Sequence, residues 1–207
     1  MCRWLAYMGN PQTLFDVLFS PQHSLVSQSL NSTEGAEPTN GDGFGVGWYS
    51  KDIDEPALYR TVEPAWHDKN MHDLANHIQT GTFFAHVRAA SPSCGYVQQT
   101  NCHPFRYKDW LFMHNGVIRG FKLIKRDLHI RIDPELFSEI VGTTDSETFF
   151  YLALTFGLQE DPPAALAKTV AYIDKVARAH GVKNPIQMTV CTTKGKGKLW
   201  AFRFSSE

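Results

Sequence analysis

The feature that most limits how this chain can fold is the order of its periodic segments, because strand-like and helix-like stretches come in blocks and do not alternate. Residues 2–8 alternate loosely and carry aromatics, which predicts a strand starting at the N-terminus. Leu14 to Phe19 reads as a short helical turn closed by Ser20 and Pro21. Residues 44–49 form a strand threaded with glycine, and 58–62 supply its hairpin partner. Residues 70–79 place Met71, Leu74, Ala75 and Ile78 on one helical face, with Gly81 as a stop signal. The strongest internal strands are 82–89 and 110–118, separated by a polar loop over 91–109. Helices are expected at 145–158, with Asp145 as cap, and at 163–180, ended by Gly181. A hairpin of 187–193 and 198–204 closes the pattern. Blocks of this kind favour an α+β layered fold with mostly antiparallel sheets over a βαβ fold.

Composition narrows the function classes. Twenty basic against 21 acidic side chains leave a net charge of −1, which excludes a bulk electrostatic grip on nucleic acid or on an anionic membrane. With 207 residues and 43% apolar content, the chain is expected to fold as a single domain over 1–207 with a sizeable core. No window reaches the roughly 20 apolar residues of a membrane span, and the N-terminus lacks a signal-peptide pattern. A cytoplasmic protein is therefore expected. Cys2, Cys94, Cys102 and Cys191 are too scattered for a disulfide scaffold and read as thiols in a reducing compartment.

Several residues carry chemistry of their own. Removal of Met1 would leave Cys2 as the terminal residue, with a thiol and an α-amine on one short chain of atoms. An α-amine with a reference pKa of about 7.7 to 8.0 can take the proton of a thiol whose reference is about 8.5, so one residue supplies nucleophile and base. The plainer reading is a small apolar residue opening a strand. Asn115 and Gly116, after an apolar strand, can offer two convergent N–H donors to an oxyanion, or can form a two-residue hairpin turn. His86 and Arg88 share one face of their strand, where Arg88 could clamp a carboxylate or face solvent. Residues 144–147 (TDSE) read as a helix cap with an acidic first turn, or as an Asp that meets an ammonium group. Glycines 41, 43, 45 and 47 fail the phosphate-loop spacing and read as close backbone packing or ligand approach in a strand. Residues 101–105 (NCHPF), with Cys94 nearby, lack the ligand pairs of a zinc site, so no metal and no cofactor is expected.

Together these pieces resemble the class II glutamine amidotransferases of the N-terminal-nucleophile hydrolase superfamily, particularly the small stand-alone members related to the γ-glutamyl amidohydrolase of ergothioneine biosynthesis. The resemblance rests on 1–3 (MCR), 41–47 (GDGFGVG), 85–88 (AHVR), 101–105 (NCHPF), 114–116 (HNG) and 144–147 (TDSE), in that order. It implies a four-layer αββα sandwich of two mostly antiparallel sheets. It implies that Cys2 attacks the side-chain amide of glutamine or a γ-glutamyl compound and forms a thioester that water or an amine resolves. Asn115 and Gly116 would hold the oxyanion, Arg88 the α-carboxylate and Asp145 the α-ammonium, with His86 and His103 as orienting groups and Ser91 lining the pocket. Where larger synthase members carry Trp and His after the Arg, this chain has Ala89 and Pro92, which implies a different pocket shape. The family extends beyond the last hairpin, so a chain ending at Glu207 is expected to be a truncated form or a short member. A small-molecule substrate is expected, with neither nucleic acid nor membrane as partner. The alternatives are a glutaminase subunit feeding ammonia to a separate synthetase and a non-catalytic γ-glutamyl-binding domain.

Overall fold

The computed structural model describes residues 2–30, 39–89 and 96–206. Met1, Ser91, Pro92, Cys94, Glu207 and the part of the polar stretch at 31–38 lie outside the described residues. The chain divides into two compact units, the first built from residues up to 113 with 192–199, the second from 114–191 and from 200 onward.

In the first unit, β1 (Arg3–Thr13), β2 (Phe44–Trp48), β3 (Ala57–Thr61) and β4 (Gln79–Val87) form a sheet in the order β1-β4-β2-β3, with every pair antiparallel. Period-two alternation gives the sheet two different faces. Leu5, Tyr7, Phe44, Val46, Phe83, Ala85 and Val87 share one cluster with Leu14, Leu18, Leu25, Val26, Met71 and Ala75. Those last six come from α1 (Leu14–Leu18), α2 (Leu25–Leu30) and α3 (Lys69–His77). The other face carries the glycines. A Cβ on Gly45 would collide with the His103 carbonyl, and one on Gly47 would stand 2.8 Å from Leu111 Cδ2 and 3.0 Å from Pro104 Cγ. Glycine is required there because the 103–111 stretch approaches the strand at backbone distance.

Gly81 is not a helix stop. The α3 helix ends at its C-cap Ile78, and Gly81 lies inside β4, where a Cβ would stand 2.8 Å from the Gly9 carbonyl. That room is needed where β1 slips register against β4 between Met8 and Gln12, and the slip carries β1 on to Thr13, five residues beyond the expected end. The polar loop expected over 91–109 contains a 3-10 turn, Gln99–Asn101, and a three-residue strand, β5 (Phe105–Tyr107). A strand that short has no readable alternation.

β5 pairs antiparallel with β6 (Trp110–Ile118) and opens the second sheet, of order β5-β6-β7-β8, with β7 (Ile186–Thr193) and β8 (Leu199–Ser205). The second unit also holds two helices that the sequence did not announce, α4 (Phe121–Arg131) and α5 (Pro134–Phe137). The N-cap of α4 is Gly120 at φ +70°, with no side-chain cap, and the helix buries only Ile124 and Leu128 fully. Both start signal and stripe are therefore weak.

In α6 (Asp145–Thr155) the cap is Thr144, whose Oγ1 accepts the Glu147 N–H at 3.2 Å; Asp145 is the first helical residue. Residues Asp145 to Leu154 of α6 are all buried. α7 (Pro162–Ala179) starts on Asp161, whose carboxylate accepts the Ala164 N–H, and buries Ala165, Leu166, Thr169, Val170, Ile173 and Ala177 on one stripe. Gly181, at φ +77°, follows its C-cap as expected. Among the described residues no helix is long and apolar enough to cross a membrane.

Candidate active site

The end of β1 is placed by its pairing. Arg3 stands opposite Val87, so the residue before it, Cys2, comes to lie beside Arg88 and Ala89. Arg3 fixes this end further by donating from Nη1 to the Gln28 carbonyl and to Gln28 Oε1, each at 3.2 Å. The Ala89 N–H donates to Cys2 Sγ at 3.3 Å, and Sγ reaches back to the Ala89 carbonyl at 3.5 Å. Cys2 is half-buried. An N–H aimed at sulfur is accepted more strongly by a thiolate than by a thiol.

Arg88 is 4% exposed, so it does not face solvent. The backbone ladder continues past β4: Arg88 N–H donates to the Gly43 carbonyl at 2.8 Å and Asp42 N–H to the Arg88 carbonyl at 3.0 Å. The guanidinium donates from Nη1 to the Asp42 carbonyl at 3.4 Å and from Nη2 to the Tyr96 carbonyl at 3.3 Å. Such anchors fix the direction of a planar fork that recognises carboxylates.

His86 stands two residues before Arg88, within β4 and opposite Gly45. Its ring stacks on His103 with centroids 4.3 Å apart, and His103 packs on Phe105 at 4.5 Å. Both imidazoles are buried. Beside them Cys102 donates to the Thr61 carbonyl at 3.3 Å. Burial pushes the Cys102 thiol above its ordinary range, opposed by Arg88 and Arg60 and reinforced by Cys2, so it is held protonated. Among the described residues no group of three or more His, Cys, Asp or Glu is arranged to hold a metal ion.

In the second unit β6 runs unbroken through Asn115 and Gly116 to Ile118, so the hairpin-turn reading of this Asn-Gly pair fails. Gly116 has φ +156°, and a Cβ there would collide with the Gln187 carbonyl while standing 2.7 Å from both His114 Nε2 and Met188 Cα. Only glycine fits. Asp145 Oδ2 accepts the Ile118 N–H at 2.9 Å, and Oδ1 accepts the Ser146 N–H at 2.8 Å. These bonds tie the start of α6 to the strand that carries Asn115, and Asp145 is only 6% exposed. His114 Nδ1 shares a hydrogen bond with Ser146 Oγ at 2.7 Å. Burial lowers the His114 pKa below its ordinary value, and the opposing pull of Asp145 is smaller, so the ring is neutral at neutral pH.

Of the residues singled out from sequence, Cys2, His86, Arg88 and His103 lie together in the first unit, and Asn115, Gly116 and Asp145 lie together in the second. Ser91 is outside the described residues. The Ala89 N–H and the Tyr96 carbonyl escaped sequence reasoning because backbone groups carry no residue-type signal. Asn101 was visible within its motif but without a role, and its Nδ2 donates to that same Tyr96 carbonyl at 2.9 Å.

Residues 1–186 match the family described as glutamine amidotransferases class-II. A probable glutamine amidotransferase of Saccharomyces cerevisiae, DUG3, is 43% identical over 162 residues, covering 74% of this chain and 45% of that protein. A gamma-glutamyl-hercynylcysteine sulfoxide hydrolase of Mycolicibacterium smegmatis is 29% identical over 143 residues, covering 68% of this chain and 62% of that protein. The chain thus spans about half the length of the curated relatives it matches. A solved glutamine aminotransferase class-II domain protein from Silicibacter pomeroyi superposes with a TM-score of 0.77 at 35% identity, covering 100% of this chain and 78% of that one. The glutamine phosphoribosylpyrophosphate amidotransferase of B. subtilis superposes at 0.58 with 13% identity over 93% of this chain and 35% of that one, a likeness of fold alone.

Proposed function

The chain belongs to the class II glutamine amidotransferases, and from that premise we propose that it is an amidohydrolase cleaving the side-chain amide of glutamine or of a small γ-glutamyl compound through a Cys2 thioester. The observation that carries this reading is the pairing of β1 with β4, which leaves the Cys2 sulfur under the Ala89 N–H and next to a buried Arg88.

Once Met1 is removed, the α-amine of Cys2 takes the thiol proton and the sulfur attacks the amide carbon. Negative charge moves to the carbonyl oxygen, for which Asn115 Nδ2 and the Gly116 N–H are the donors. The tetrahedral intermediate collapses to a thioester as the α-ammonium returns the proton to the leaving nitrogen, releasing ammonia or an amine. Water, deprotonated by the same amine, then attacks the thioester and frees the γ-carboxylate and the thiol.

Arg88 pairs with the substrate α-carboxylate in two parallel hydrogen bonds, and Asp145, already holding Ile118 and Ser146, offers remaining lone pairs to the α-ammonium. Burial makes each contact stronger than it would be in bulk water. The stacked His86 and His103 rings orient the wall around Cys2. Cys2, Cys102 and Cys191 form no disulfide among the described residues.

Incubation of processed protein with glutamine and a panel of γ-glutamyl amides tests the reading. Release of ammonia or amine, abolished by Cys2→Ala, is the expected result; turnover that survives the substitution overturns it.

A further inference from the structure

A chain of part-buried polar contacts continues outward from Arg88. Its Nη2 donates to the Tyr96 carbonyl at 3.3 Å, and Asn101 Nδ2 donates to the same oxygen at 2.9 Å. Asn101 is wholly buried, and its Oδ1 accepts from Gln98 Nε2 at 3.2 Å while its own N–H donates to the Gln98 carbonyl at 3.0 Å. Both polar ends of this carboxamide thus bond to one short stretch, 96–98. That stretch has no apolar anchor of its own, since Tyr96 is 79% and Val97 52% exposed. Its carbonyl keeps its direction because Asn101 holds it.

We propose that Asn101 is a positioning residue for substrate recognition: by fixing the Tyr96 carbonyl it sets the plane of the Arg88 guanidinium and hence the grip on the substrate α-carboxylate. This rests on the reading of Arg88 given above. A carbonyl that accepts two donors is held in both distance and angle. A guanidinium that loses such an acceptor regains side-chain freedom, which weakens a two-point contact with a carboxylate more than any other contact in the site. Gln99 Nε2, donating to the Arg60 carbonyl at 2.6 Å, pins the far end of the same turn to β3.

The test uses processed protein and two chromogenic substrates, γ-glutamyl-p-nitroanilide and 4-aminobutanoyl-p-nitroanilide, which differ only by the α-carboxylate. In Asn101→Leu the KM for the γ-glutamyl substrate should rise about 10-fold to 100-fold, the range expected from misplacement of about 1 Å. Its kcat and the kcat/KM for the carboxylate-free substrate should stay within about threefold. A general structural role would lower turnover of both substrates alike, and that result, or no change in either, overturns the proposal. Arg88→Ala separates the two layers of inference. If it removes the preference for the carboxylate-bearing substrate while Asn101→Leu keeps it, only the role of Asn101 falls. If Arg88→Ala itself keeps the preference, the reading of Arg88 falls and this proposal with it. Asn101→Ser, whose hydroxyl is too short to reach Tyr96, repeats the comparison with a smaller side chain. Failure of both variants to fold would assign Asn101 to folding and overturn the proposal.

Discussion

The N–H of Ala89 reaches the sulfur of Cys2 across 3.3 Å, joining two residues 87 positions apart in sequence. A single antiparallel ladder from Met8 opposite Thr82 to Arg3 opposite Val87 makes that meeting possible. The proposed nucleophile is therefore located by strand register, and a slip of one residue would turn its side chain to the opposite face of the sheet.

Activity should follow the chemistry at that sulfur and the state of the amine beside it. Cys2→Ala is expected to reduce turnover by ~10³-fold or more while leaving the circular dichroism spectrum unchanged. In preparations that differ in Met1 removal, the specific activity should scale with the processed fraction read by intact mass. Full activity in protein that retains Met1 would remove the α-amine from the mechanism.

Asn115 and Gly116 should separate into a kinetic and a structural phenotype. Asn115→Ala deletes one proposed oxyanion donor from a half-buried position and is expected to cost ~10²-fold in kcat with a much smaller loss of stability than Gly116→Ala. Gly116→Ala forces a methyl group against Met188 Cα and His114 Nε2, each 2.7 Å from the new atom, and should cost about 3 kcal/mol in denaturant unfolding. Equal stability of the two variants would contradict the strand geometry.

Gly45→Ala probes the layer above the first sheet. Its methyl group would occupy the place of the His103 carbonyl and stand 3.1 Å from Arg60 Cγ. Stability should fall by about 2 to 3 kcal/mol, and KM should rise because the 101–103 stretch shifts with His103. The matching change at Gly197, whose Cβ would meet nothing within 4 Å, leaves the packing untouched and costs only the strain of its φ of +71°, about 1 kcal/mol. Thermal unfolding of both variants gives the comparison.

Acidification should destabilise the fold through His114. Burial holds its pKa below the ordinary 6.5, so the unfolded chain binds more protons than the folded one as pH drops. Stability is full above about pH 6.5 and is lost progressively as pH falls toward the depressed folded value. His129, lowered by burial and by Lys125, adds a loss of the same sign. The drop in Tm between pH 7.5 and pH 5 should shrink in His114→Gln, and an identical drop would show that His114 does not carry the effect.

Much of the candidate site was legible in residue types alone. The six ordered motifs singled out Cys2, Arg88, Asn115, Gly116 and Asp145 as candidates, and the strand expected over 82–89 is β4, whose ladder continues through the Arg88 N–H to the Gly43 carbonyl. Strand 110–118 and the two long helices emerged within three residues of their observed ends because their apolar periods are long. Other parts were hidden for physical reasons. The α4 helix lacks a polar cap, β5 is too short to alternate, and Gly81 resembles a helix stop until its neighbour Gly9 is known.

The amino-acid sequence by itself determined the class of fold, the alternating faces of the longer strands, and the identity of the chemical groups, since these depend on side-chain type and local period. Tertiary structure alone decided where backbone groups point: the Ala89 N–H at the Cys2 sulfur, the Asp42 and Tyr96 carbonyls at the Arg88 guanidinium, the Ile118 N–H at Asp145. Every residue but proline carries the same N–H and C=O, so nothing in their spelling distinguishes them. Their direction is fixed only when segments distant in the chain pack together.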